Sequence, residues 1–213
     1  MQTTYLAFYR MGRRALRGIG PPVGQPTRVG QKYIDTTTGT QYVGRNVLNF
    51  NTSAGIVTPT FFGVRRVEAQ FWHEDPTPTA IRQLWDGTET VQTRARREST
   101  TGNLNAVAGF GLLILDGVTI ASNTVNPSTS VWHSYIQNQT SDRQFGFIGR
   151  TNGGGLRWSG RIANVRVYGA GDALLASYAI DEGSGTTIID SVSGQNGTLT
   201  LGSGSWQLDW VPI

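Results

Sequence analysis

The chain has no cysteine and only one lysine, Lys32. Without thiols, a disulfide framework and a thiolate metal site are both excluded. No apolar run reaches the ~18–20 residues that a membrane-spanning helix needs. The first residues, MQTTYLAFYRMGRRALRG, lack the long apolar stretch and small-residue cleavage site of a secretory leader, so synthesis in a cytoplasm is expected. The 28 glycines show no Gly-X-Y period, which excludes collagen. Internal repeats and coiled-coil heptads are lacking too.

Catalytic signatures are equally scarce. There is no Gly-x-Ser-x-Gly elbow, and Lys32 is not preceded by the glycines of a phosphate-binding loop. Retaining glycosidases hold two carboxylates about 5 Å apart. The adjacent pairs Glu74-Asp75 and Asp181-Glu182 would point to opposite faces of a strand. An enzyme is therefore not expected.

What is present indicates a folded β-protein. With 213 residues, the chain can bury roughly 70% of its unfolded surface, enough for one sizeable domain with an appendage. Aromatic residues make up 10%, including six tryptophans, a load that disordered chains rarely carry. The net charge of +4 is uneven. Residues 1–45 hold seven basic residues against Asp35 alone, a net +6, which leaves −2 for the remaining 168. Arginine supplies 17 of the 18 basic residues. Its planar fork favours partly desolvated, bidentate contacts, so protein interfaces are expected before nucleic acid.

Residues 1–31 are basic and rich in Gly and Pro and read as an arm and linker, with a short helix over Tyr5–Arg17 weakened by Gly12. QKYIDTTTGTQYVG then predicts a small hairpin turning at Gly39. From residue 46 strand signals dominate: VLNFN, TPTFFG, and VRRVEAQFW with its period-2 alternation. DPTPTAIRQLWDG predicts a two-turn helix with Thr77 as cap, Pro78 at the first position and Gly87 at the exit. GLLILDGVTIAS predicts a hairpin with Asp116-Gly117 as its turn. SVWHSYIQ, QFGFIGR, GRIANVRVY, LLASYAI, TTIID, NGTLTL and SWQLDWVPI complete a set of short strands at regular spacing, the pattern of a sandwich or barrel. The predicted boundary separates an arm and hairpin at 1–45 from a β-domain at 46–213.

Four motifs occur in order: Asp116-Gly117 between two strands, Trp132-His133 opening the next, Ile148-Gly149-Arg150 at a turn, and Gly160 to Tyr168 as G-x-I-x-x-V-x-V-Y. Together they resemble the laminin-G-like, or concanavalin A-like, antiparallel jelly-roll sandwich over about residues 46–200. IDEGSGTTIIDSVSGQNGTL, at 180–199, resembles a segment that opens domains of that family, yet here it comes near the end. The resemblance implies a circularly permuted jelly roll whose late strands pair with residues 46–72. GQPTRVGQKYIDTTTGTQYVG is similar to hairpin segments of tailed-bacteriophage fibre and virion proteins.

Candidate sites follow from these readings. Tyr5, Leu6, Phe8 and Tyr9, with Arg10, Arg13, Arg14 and Arg17, are candidates for docking the arm on other virion proteins. Trp85 and Trp158 are the candidate glycan platforms. The resemblance admits calcium, for which Asp181, Asp190 and Asn196 are the candidate ligands; no other cofactor is expected. His73, Glu74 and Asp75 read as a strand-edge histidine with loop acids rather than a zinc site, which wants four ligands. In TRARRES, Arg94 and Arg96 share a strand face opposite Arg97, and a solvated or protein-facing strand is favoured over a nucleic-acid surface. The resemblances imply a non-enzymatic virion component, a decoration, fibre or tail-attached protein, assembled as a homo-oligomer with a trimer favoured. The alternative is a glycan-binding adhesin or lectin recognising a host surface glycan. Membrane and nucleic-acid partners are not expected.

Overall fold

A computed structural model describes residues 16–18, 25–87, 93–107, 109–200, 202 and 204–213. The protein is all-β, with a large, mainly antiparallel sheet and no α-helix among the described residues. It divides into two compact units. One comprises the described part of residues 1–46 together with Leu208–Ile213; the other is Val47–Gln207. From sequence the last six residues belong to the β-domain; in the structure they group with the N-terminal hairpin.

In the small unit, β1 (Leu16–Gly18) runs parallel to β2 (Lys32–Asp35), and β2 pairs antiparallel with β3 (Gln41–Asn49). The expected hairpin is present. The Asp35 carboxylate organises its turn by accepting from the backbone N–H of Thr37 and the hydroxyl of Thr38. Tyr33 packs between Tyr42 and Trp210, with ring centroids 6.0 and 5.9 Å away. The helix expected over Tyr5–Arg17 is corrected at its end, because Leu16 and Arg17 are strand residues bonded along β2. Its remainder lies outside the described residues.

Two long strands form the spine of the large unit, β4 (Gly55–Trp72) and β10 (Trp132–Ile148). They pair antiparallel from Trp132↔Trp72 to Ile148↔Ile56, broken by three register shifts. Bulges bend strands, and these shifts divide each strand into two arms. One arm of the spine carries β8 (Phe110–Leu115) and β9 (Val118–Ile120) beside β10, and β11 (Arg161–Tyr168) and β12 (Leu174–Tyr178) beside β4. The other arm carries β5 (Arg82–Asp86), β6 (Ala95–Arg97) and β7 (Leu104–Ala106) beyond β10. On its β4 side lie β14 (Gly197–Thr200) and β13 (Thr187–Ile188). The last strand, β15 (Ser205–Pro212), pairs with β3. Trp85 on β5 packs against Tyr135 on β10, with ring centroids 5.5 Å apart, so the two arms face one another across a shared core. This arrangement is compatible with a β-sandwich.

The expected pairing of the late strands is present: Thr198, Leu199 and Thr200 lie opposite Val57, Ile56 and Gly55. The Asp116-Gly117 turn has positive φ at both residues, +50° and +79°, as a two-residue hairpin of the favoured hand requires. Gly160 is needed for space, since a Cβ there would lie 2.0 Å from the Trp72 carbonyl oxygen. The helix expected from Thr77 to Gly87 is corrected. Residues 82–86 are strand β5, and Leu84 and Trp85 are fully buried on it. Local capping signals are worth about 1 kcal/mol, less than burial of a tryptophan and a leucine in the core.

Candidate functional site

The two Trp-His dipeptides of the sequence meet at one end of the spine. Trp72 lies opposite Trp132, and His133 lies opposite Phe71. Alternation turns both tryptophans outward and His133 inward. His73, which leaves β4, stacks near it with ring centroids 6.2 Å apart. Trp158 closes the group edge-on to Phe71 and His73.

Arg97 reaches this group from β6 and is 1% exposed. Its Nε donates to the Gly102 carbonyl, and its Nη1 to His73 Nδ1 (3.0 Å) and the Asp75 carbonyl (2.8 Å). Its Nη2 donates to the Pro76 carbonyl and Asn126 Oδ1. One guanidinium therefore ties three loops together. Donation from Arg97 fixes His73 Nδ1 as an acceptor. Burial first, then the charges of Arg97 and His133, push the His73 pKa down to about 4 from 6.5, so the ring is neutral near pH 7.

His133 is held differently. Its Nδ1 lies 2.6 Å from Asp116 Oδ2, and its Nε2 lies 2.8 Å from the Ser128 carbonyl oxygen. The other Asp116 oxygen accepts from the Ser134 backbone N–H. Ser128, His133 and Asp116 are the residue types of a nucleophile, base and orienter. Their geometry does something else. Nε2 sits closer to the Ser128 carbonyl than to the Ser128 hydroxyl, which is 3.4 Å away. The ring nitrogen is thus turned to the carbonyl rather than to the hydroxyl. The arrangement is a staple that fastens the Asp116-Gly117 turn to the start of β10.

The candidates read from the sequence fare unevenly. Trp85 and Trp158 are both fully buried, so neither is a glycan platform; Trp85 Nε1 donates to Gln137 Oε1 in the core. Asp190 and Asn196 do come together, as Asn196 Oδ1 accepts from the Asp190 N–H. The Asp190 carboxylate, however, accepts from the N–H groups of Ser177, Val192 and Ser193 and from the Ser193 hydroxyl. Desolvation raises its pKa, but these bonds together outweigh that and hold it below the ordinary carboxylate value. Asp181 is half-buried in the segment that precedes β13. Among the described residues no group of three or more His, Asp or Glu side chains is arranged to hold a metal ion. Tyr5, Phe8, Tyr9, Arg10, Arg13 and Arg14 lie outside the described residues, and Arg17 is placed only by its backbone in β1. The expectation of a solvated TRARRES strand is corrected at Arg97, which is core. Arg94 and Arg96 do share the other face, paired with Asp86 and Glu98.

Arg97 and the Asp116–His133 staple were missed by the sequence reading. The only local signal for the staple was the recurrence of Trp-His, while Arg97 carried none beyond its alternation with Arg96. In comparisons with known proteins, no family model, no curated protein and no solved structure matches this chain.

Proposed function

We propose that the protein is a non-enzymatic structural component of a tailed-phage particle, a permuted jelly-roll protein that docks through its N-terminal segment. The observation that carries this reading is the division into units. The hairpin that resembles virion segments belongs to one compact unit, and the jelly-roll-like motifs belong to the other. Attachment and body are thus separable pieces of the chain. The reading is further supported by how the large unit uses its polar groups. Arg97, His133, Asp190 and Asp86 are spent on the protein's own backbone and side chains, as a structural protein uses them. The antiparallel pairing of β14 with β4 supports the permuted order. Assembly is as a homo-oligomer, in keeping with symmetric particles. The adhesin alternative loses the two tryptophans assigned to it and is not carried further.

Deletion of residues 1–15 tests the reading, because it removes the aromatic anchors with Arg10, Arg13 and Arg14, keeps Arg17, and leaves every described strand in place. The truncated chain is expected to melt as the full chain does but not to enter particles. Normal incorporation of the truncated chain overturns docking through the arm. Absence of the full chain from purified particles overturns the reading as a whole.

A further inference from the structure

The turn that follows the Ile-Gly-Arg motif carries a charge arrangement that neither the fold nor the proposed role uses. Arg150 and Arg157 form an antiparallel bridge at the base of the glycine-rich turn 151–156, directly opposite one another. Directly opposed residues project to the same face, and like charges in that position are destabilising. The side chains converge further. A Cβ on Gly154 would lie 2.8 Å from Arg150 Nη2 and 3.9 Å from Arg157 Nη2, so these two nitrogens are within about 7 Å of each other. Gly154 has φ +73° and lacks that Cβ, which lets the guanidinium of Arg150 approach.

No carboxylate of the described residues answers these charges. Arg65, Arg66, Arg94 and Arg96 each pair with an acid. Asp86 reaches this turn by accepting from the Asn152 N–H, but it is buried and its two oxygens are occupied by Arg94, Gly87 and Asn152. Among the described residues, Arg150 donates only to the Thr151 carbonyl, and Arg157 only to the carbonyls of Gly154 and Ser53. A guanidinium has five N–H donors, so most of those on the pair are unused. The stem of Arg150 lies along Gly55 and its guanidinium stands 5.6 Å from the Phe147 ring centroid, which pre-positions it. Burial first and Arg157 second lower its pKa, as expected of an uncompensated pair. Beside them Gly153 and Gly155 open on empty space.

The geometry points to an oxyanion site: Arg150 and Arg157, side by side over Gly154, are placed to grip one compact anionic group, a carboxylate, sulfate or phosphate, between their unused N–H donors. Two planar forks suit such a group where two lysines would not. A repulsion kept without an internal partner is the kind of local cost that functional sites carry.

The test is a titration of the full chain with sodium sulfate, sodium phosphate and sodium glucuronate, each against sodium chloride at matched ionic strength. The readout is the arginine Nε–H resonances. Saturable shifts at Arg150 and Arg157, and not at the exposed Arg65, are expected. R150Q abolishes the shift at Arg157 and R157Q that at Arg150, and R150K, which keeps the charge but not the fork, weakens binding at Arg157 about tenfold or more. Tighter binding of glucuronate than of the inorganic ions supports the site with a saccharide carboxylate as the source. The reverse order supports it with a free ion as the source. Shifts that follow ionic strength alone and match those in chloride overturn the site. So does undiminished binding in a folded R150Q. If a variant fails to fold, the wild-type titration alone decides.

Discussion

The two Trp-His dipeptides are identical in sequence and adjacent in space, yet their histidines are held in opposite ways. His73 is fully buried, accepts from a cation and stays neutral to about pH 4. His133, one strand over, places each ring nitrogen against an oxygen acceptor, one of them a carboxylate. The difference arises from what the neighbouring loops supply: Arg97 from β6 to one ring, Asp116 from the β8–β9 turn to the other. A short motif sets where a side chain starts, and distant segments set its chemistry.

The largest break in the comparison should come from Arg97. Replacing it with methionine keeps volume but leaves the acceptors of Gly102, Asp75, Pro76, Asn126 and His73 short of a donor. A loss of about 3–5 kcal/mol is expected by urea unfolding, with a melting temperature lower by about 10 °C. An unchanged midpoint would show that Arg97 does not hold the three loops.

Acid should separate the histidines next. His73 has a folded pKa near 4, below its ordinary 6.5, so the unfolded chain takes up that proton first as pH falls. Above about pH 6.5 the group contributes no pH dependence. Stability drops as pH goes from about 6.5 to about 4, and no further below, where both states are protonated. The total is on the order of 3 kcal/mol. Arg97 and His133 face this ring and oppose its charging, and the Asp75 and Pro127 carbonyls favour it only weakly. His73→Gln should flatten the stability profile in that window. Parallel profiles for the variant and wild type would refute the assignment.

Asp116→Asn sharpens the other side. It keeps an acceptor for the Ser134 N–H but removes the charge facing His133. Asp116 is half-exposed, so a loss of only about 1 kcal/mol is expected. The smallest effect is expected for Ser128→Ala, within about 0.5 kcal/mol, because the carbonyl of Ser128 and not its hydroxyl holds His133. A drop several times larger would make the hydroxyl the working partner.

Much of the fold is legible locally, because strand alternation and turn stereochemistry involve only neighbouring residues. Ala163, Val165 and Val167 point inward as their spacing indicates, and Asp116-Gly117 turns where its dihedrals require. The hairpin at Gly39 and the pairing of late strands with early ones were also readable. The candidate site was not. Arg97 reads from sequence as one more surface arginine, and its burial depends on carbonyls supplied by residues 75, 76 and 102 and an amide from residue 126. Trp85 sits in a segment with helix signals, and its place in β5 is decided by a core partner, Tyr135, 50 residues away in the chain. Composition and period determine that this chain forms strands and where they turn. Which polar groups are buried, and with what charge, is decided only when segments far apart in sequence desolvate one another, since burial and pairing are properties of the assembled surface and of no single strand.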